Sequence, residues 1–78
     1  MTTDQPRHPA TQQILRWFDF GHLPEGLPRS VAGDCFAAAH SLVAQLPDGP
    51  ELTTGLRKLL EAKDCLVRAA IAAQDGPR

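Results

Sequence analysis

The stretch from Glu51 to Ala73, ELTTGLRKLLEAKDCLVRAAIAA, constrains this chain more than any other part of it. Leu52, Leu56, Leu59, Leu60, Lys63, Leu66, Val67, Ala70 and Ile71 recur at spacings of three and four. That spacing lays them along one face of a 3.6-residue helix. Ala, Leu, Arg, Lys and Glu, the strong helix formers, dominate, and no Pro or β-branched run interrupts them. Glu51 puts negative charge near the positive end of the helix dipole, and Gly76-Pro77 stops the run. Gly55 is the weak point, costing roughly 1 kcal/mol relative to Ala. A helix of about 23 residues spans roughly 35 Å. It cannot bury its apolar face alone, so the rest of the chain must supply a partner.

A second helix is predicted from about Pro28 to Leu46, with Val31, Cys35, Ala38, Ala39, Leu42, Val43 and Leu46 as its stripe. Pro suits a first helical position, where a missing N–H costs nothing, and Ala37-Ala38-Ala39 permits close helix approach. Pro47-Asp48-Gly49-Pro50 is a tight break between the two runs, which makes them antiparallel neighbours. That register sets Leu42 near Leu56 and Phe36 near Glu61. Upstream, Thr11 caps a short helix through about Asp19, whose apolar residues are Ile14, Leu15, Trp17 and Phe18. Trp17 and Phe18 are expected to dock this helix on the hairpin. Phe20 to Arg29 holds two Gly and two Pro and is irregular. Residues 1–10 read as a flexible N-terminal tail and 11–75 as a single helical-hairpin domain. The expected fold is therefore all-α: a short N-terminal helix plus a long antiparallel αα-hairpin, assembling into an oligomeric helical bundle.

The oligomer follows from size. At 78 residues a lone hairpin buries too little apolar surface to offset the entropy of ordering its residues. Two cysteines and no CxxC suit a reducing compartment, with Cys35 and Cys65 as buried thiols. The polar N-terminus lacks a signal peptide's apolar segment and no stretch is fit to span a membrane, so a cytoplasmic location and no membrane partner are expected. A net charge of −1 argues against a nucleic-acid duplex as partner. His8, His22 and His40 lack metal-ligand spacing, and no phosphate-binding glycine loop is present. No cofactor, metal or catalytic residue is expected.

Four features have binding chemistry. Phe20 and His22, beside a glycine turn, offer a stacking platform. Arg57 and Lys58, with Thr53 and Thr54 one turn earlier, suit a phosphate near a helix N-terminus. Arg29 with Ser30 precedes or opens the second helix, where the hydroxyl caps and the guanidinium can reach a ligand. Lys63, near the apolar stripe, is expected to snorkel from a subunit interface or pair with a carboxylate, and Asp64–Arg68 to form an i,i+4 pair.

Two strings also carry a resemblance. FDFGHLP, residues 18 to 24, resembles an F-x-[YF]-x-H-L-P opening, and PELTTGLRKLLEAKDCLVRAAIA, residues 50 to 72, resembles a closing E-x-x-x-x-L-x-K-L-x-E-A-K-D-x-x-V-R-A. Both are patterns of the helical-hairpin sponge proteins of phages, of the anti-CBASS and anti-Thoeris type. The likeness covers about residues 14 to 73. Pro28 and Gly33 depart from it, and Phe20 stands where many members have Tyr, which removes a hydroxyl.

The resemblance implies a homo-oligomer, a hexamer as in the best-described members, that is not an enzyme. It implies sequestration of cyclic dinucleotides, or cyclic trinucleotides, without cleavage, which blocks CBASS-type signalling in the bacterial host cytoplasm. Phe20 and His22 would then meet the bases, Arg57 and Lys58 the phosphates, with Thr54 or Arg29 helping. The alternative is a protein-interaction hairpin, an assembly factor or inhibitor of a host protein, with no small ligand.

Overall fold

A computed structural model describes residues 7–74. Three helices account for most of them: α1, Pro9–Arg16; α2, Leu27–Gln45; and α3, Pro50–Gln74. Among the described residues there is no strand. The two long helices fall within a residue or so of the ends expected from their patterns. They form the antiparallel hairpin, and α1 packs across it against α3. None of the three helices is long and apolar enough to cross a membrane.

The hairpin closes on small side chains. Ala32 and Ala39 of α2 are fully buried, and Ala39, Cys35 and Val43 cluster with Leu52 and Leu56 of α3. Phe18, with no exposed surface, completes this core from the segment after α1. Leu42 and Leu56 line one groove, as their register implies. Phe36 turns toward α1's side of the hairpin and packs on Phe20 and His40.

The first helix departs from expectation at both ends. His8, not Thr11, is its N-cap: the ring Nδ1 accepts the Ala10 amide at 3.0 Å, and Pro9 occupies the first turn. Thr11 is fully buried and donates its hydroxyl to Asp48 Oδ1 at 2.8 Å. Asp48 also accepts the His8 amide at 3.0 Å and Arg7 Nε at 3.2 Å. The Arg7 guanidinium continues to the carbonyls of Val43 and Leu46, both at 2.6 Å, and so caps the end of α2. Arg7 to Ala10 are thus tied to the hairpin turn rather than being tail. The rest of the expected tail, residues 1–6, lies outside the described residues, as does Asp75 at the domain's expected end.

Three donors on one carboxylate favour its charged form. The His8 amide first, then the Thr11 hydroxyl and Arg7, hold Asp48 down at about 2. A carboxyl depressed in the folded state contributes stability that is complete above its unfolded value and is lost as pH falls toward the folded one. The expected result is an acid-sensitive step as pH drops from about 4 to about 2, seen as loss of amide protection in α1. Asp48→Asn should flatten that step in a pH series of urea melts. An unchanged step would place the acid-labile group elsewhere.

Candidate functional site

On α1's side of the hairpin the irregular segment between α1 and α2 builds two neighbouring clefts. The first, about 440 Å³, is lined by Phe20, Glu25, Gly26, Arg29, Ser30, Gly33 and Asp34. Its floor depends on Gly33: the Phe20 ring lies against that bare stretch of α2, where an added Cβ would sit 3.5 Å from the ring. Phe20 meets Phe36 edge-on at 5.2 Å between centroids, and Phe36 stacks on His40 at 4.2 Å. The Arg29 guanidinium stands 5.9 Å from the Phe20 centroid. Gly26 is the N-cap of α2 and has no side chain to offer its first amides. Its φ of 138° is one that side chains rarely adopt and favours glycine there. An aromatic ring, a guanidinium and open helix amides therefore face one cleft. Glu25 and Asp34 also line the cleft, so Arg29 is its one cation among two carboxylates.

The second cleft, about 350 Å³, is lined by Arg16, Trp17, Asp19, His22, Leu60, Lys63 and Asp64. Trp17 is 68% exposed, while its neighbour Phe18 does the docking. This overturns the expectation that both rings anchor α1. Lys63, 8% exposed, donates from Nζ to the Trp17 carbonyl at 2.7 Å and caps the end of α1. Among the described residues it pairs with no carboxylate. The expected Asp64–Arg68 pair does not form, and Arg68 lies instead 3.4 Å from Cys65 Sγ.

The six residues singled out from sequence do not meet in one copy of the chain. Phe20 and Arg29 share the first cleft and His22 opens on the second. Thr54, Arg57 and Lys58 are exposed on the early turns of α3, Lys58 at the edge of an apolar groove. Gly33, under Phe20, lies some 18 Å of helix before the end of α2 beside which α3 begins. Thr53 is spent locally, its hydroxyl bonded to the Gly49 and Pro50 carbonyls at 3.3 and 3.2 Å. Trp17 is the residue that sequence reasoning misplaced. Its only signal was position, since Trp17 and Phe18 are adjacent at the end of α1 and point in different directions.

Cys35 is buried, and burial pushes its thiol up, Lys63 opposing in part; Cys65 is exposed, so only one of the two expected buried thiols is buried. The described residues hold no group of three or more His, Cys, Asp or Glu placed to share a metal ion. Comparison with family models, with curated proteins and with solved structures finds no match to this chain.

Proposed function

We propose that this chain is a ligand-sequestering module that holds a cyclic oligonucleotide second messenger without cleaving it, in a homo-oligomer. The observation that carries the reading is the first cleft: Phe20 and Arg29, 5.9 Å apart, beside the open N-terminus of α2. A purine can stack where the guanidinium now stands, and Arg29 with the α2 amides can take one phosphate. Trp17 and His22 in the adjoining cleft offer a second stacking surface. A two-fold ligand is served by two copies, each supplying one ring and one cation. Arg57, Lys58 and Thr54 join such a site only from another copy. The phage-sponge resemblance of residues 18–24 and 50–72 points the same way, toward a hexamer that starves a CBASS-type immune effector in the host cytoplasm.

Calorimetric titration with cyclic di- and trinucleotides tests the reading. Binding below about a micromolar, roughly −8 kcal/mol, is expected, with intact ligand released on heating. Phe20→Ala and Arg29→Ala should each weaken binding at least about fivefold, one stacking or one charged contact being worth about 1–3 kcal/mol. Recovery of a linear product would make the chain an enzyme. No heat with any ligand would favour the second reading, a protein-interaction hairpin. The observation behind that reading is the exposure of Leu42, Leu46 and Leu66 on the opposite side of the hairpin.

A further inference from the structure

The Phe20 cleft holds two groups that a phosphate does not account for. Glu25 and Asp34 line it together with Arg29 and Ser30. Two carboxylates beside one guanidinium weaken a site whose only task is to hold an anion. Among the described residues neither is ion-paired with Arg29, whose guanidinium stands over the Phe20 ring instead. Both acids are therefore available to a ligand.

The two differ in position. Glu25 precedes the N-cap Gly26 and stands at the open end of α2, beside its first amides. Asp34 lies about two turns further along, next to Gly33, on which the Phe20 ring rests. Asp34 is therefore level with the ring, and Ser30 is one turn nearer the amides on the same face of α2. A nucleobase stacked on Phe20 is wider than the phenyl ring beneath it and overhangs toward the side chains around it. Arg29, displaced by the base, turns to the phosphate at the start of α2. Asp34 is then the charged group left along the edge of the base.

An ionised carboxylate only accepts hydrogen bonds, through two oxygens side by side. Among the bases of RNA, guanine alone offers two adjacent donors to match them, N1–H and the N2 amine. Adenine sets its N1 lone pair next to the N6 amine, and cytosine sets N3 next to the N4 amine. Uracil flanks its single N–H with two carbonyl oxygens. Each of these turns at least one acceptor toward the carboxylate, which then lacks a partner. We infer that Asp34 is a specificity residue that selects guanine, accepting N1–H and the N2 amine of a base stacked on Phe20. The inference rests on the reading of this cleft as a cyclic oligonucleotide site and names the base that the site takes. Glu25 faces the phosphate and lowers the affinity for every such ligand alike.

The test is calorimetric titration of the full chain with cyclic di-GMP, cyclic di-AMP and cyclic di-IMP, the last lacking only the N2 amine. Cyclic tri-AMP and its analogue with one guanine complete the panel. Cyclic di-GMP should bind at least about fivefold tighter than cyclic di-AMP, the lower end of what one bidentate base contact discriminates, with cyclic di-IMP between them. The same order is expected within whichever ring size binds. Asp34→Asn keeps one acceptor and turns the other oxygen into a donor, which suits the N6 amine and N1 of adenine. It should abolish or reverse the preference rather than weaken all ligands equally, which a merely structural role would do. Glu25→Gln should tighten every ligand and leave the ratio unchanged. Both residues are exposed, and circular dichroism checks that the variants keep their helices. Adenine ligands bound as tightly as guanine ligands, or a guanine preference that survives Asp34→Asn, would overturn the assignment and leave the sequestering reading in place. No heat from any member of the panel would overturn both.

Discussion

Replacing Phe18 with alanine should cost about 3–5 kcal/mol, the range for emptying a large aromatic site in a packed core. Phe18 has no exposed surface and joins Cys35, Ala39, Val43, Leu52 and Leu56 in one cluster. It is also the anchor by which the segment after α1 enters the hairpin. Small domains have only about 5–15 kcal/mol of stability in all, so Phe18→Ala should leave a substantial unfolded population at room temperature. Trp17→Ala is the matched control. The indole is 68% exposed, and its loss should change the unfolding free energy from urea melts by no more than about 0.5 kcal/mol. Both are read by circular dichroism at 222 nm, which does not depend on the tryptophan. If the Trp17 variant proves the weaker of the two, the assignment of docking and exposed rings is reversed.

The second large effect is expected at Lys63. Its ammonium satisfies the Trp17 carbonyl, an acceptor at the end of α1 that has no partner further along its own helix. Lys63→Met keeps most of the buried stem and removes only the donor. It should cost about 1–3 kcal/mol, the penalty for a buried polar group left unpaired. Amide exchange should localise the change to α1, with α2 and α3 keeping their protection. Asp64→Ala, one residue on and exposed, should change stability by under about 0.5 kcal/mol. A neutral or stabilising Lys63→Met would mean that burying the charge costs as much as the cap returns.

The two long helices were legible because their signals are local. Apolar spacing defined their faces, and the Pro47–Pro50 break their antiparallel sense. α1 was not legible in the same way. Thr11 looks like a cap beside its own helix, but its hydroxyl is claimed by Asp48, far away in sequence. Asp48 itself reads as a turn residue, and nothing near it announces Arg7. Lys63 was recognised as anomalous on an apolar stripe, yet its partner is a backbone carbonyl, which no side-chain pattern encodes. Of the candidate site, the Phe20–Arg29 pairing was half visible, since both residues had been singled out separately. What joins them is the bare surface at Gly33, a close approach between segments distant along the chain.

The anchoring of α1 and of the α2 terminus also fixes an order of events during synthesis. The first helix emerges from the ribosome early, but Lys63, which secures its end, and Leu56, which covers Phe18, are translated only with α3. Arg7 likewise waits for Val43, Leu46 and Asp48 before its guanidinium has anything to hold. A helix this short has no lasting structure by itself, and its non-local contacts form last. The nascent chain therefore carries α1 as an uncommitted segment until α3 has been made.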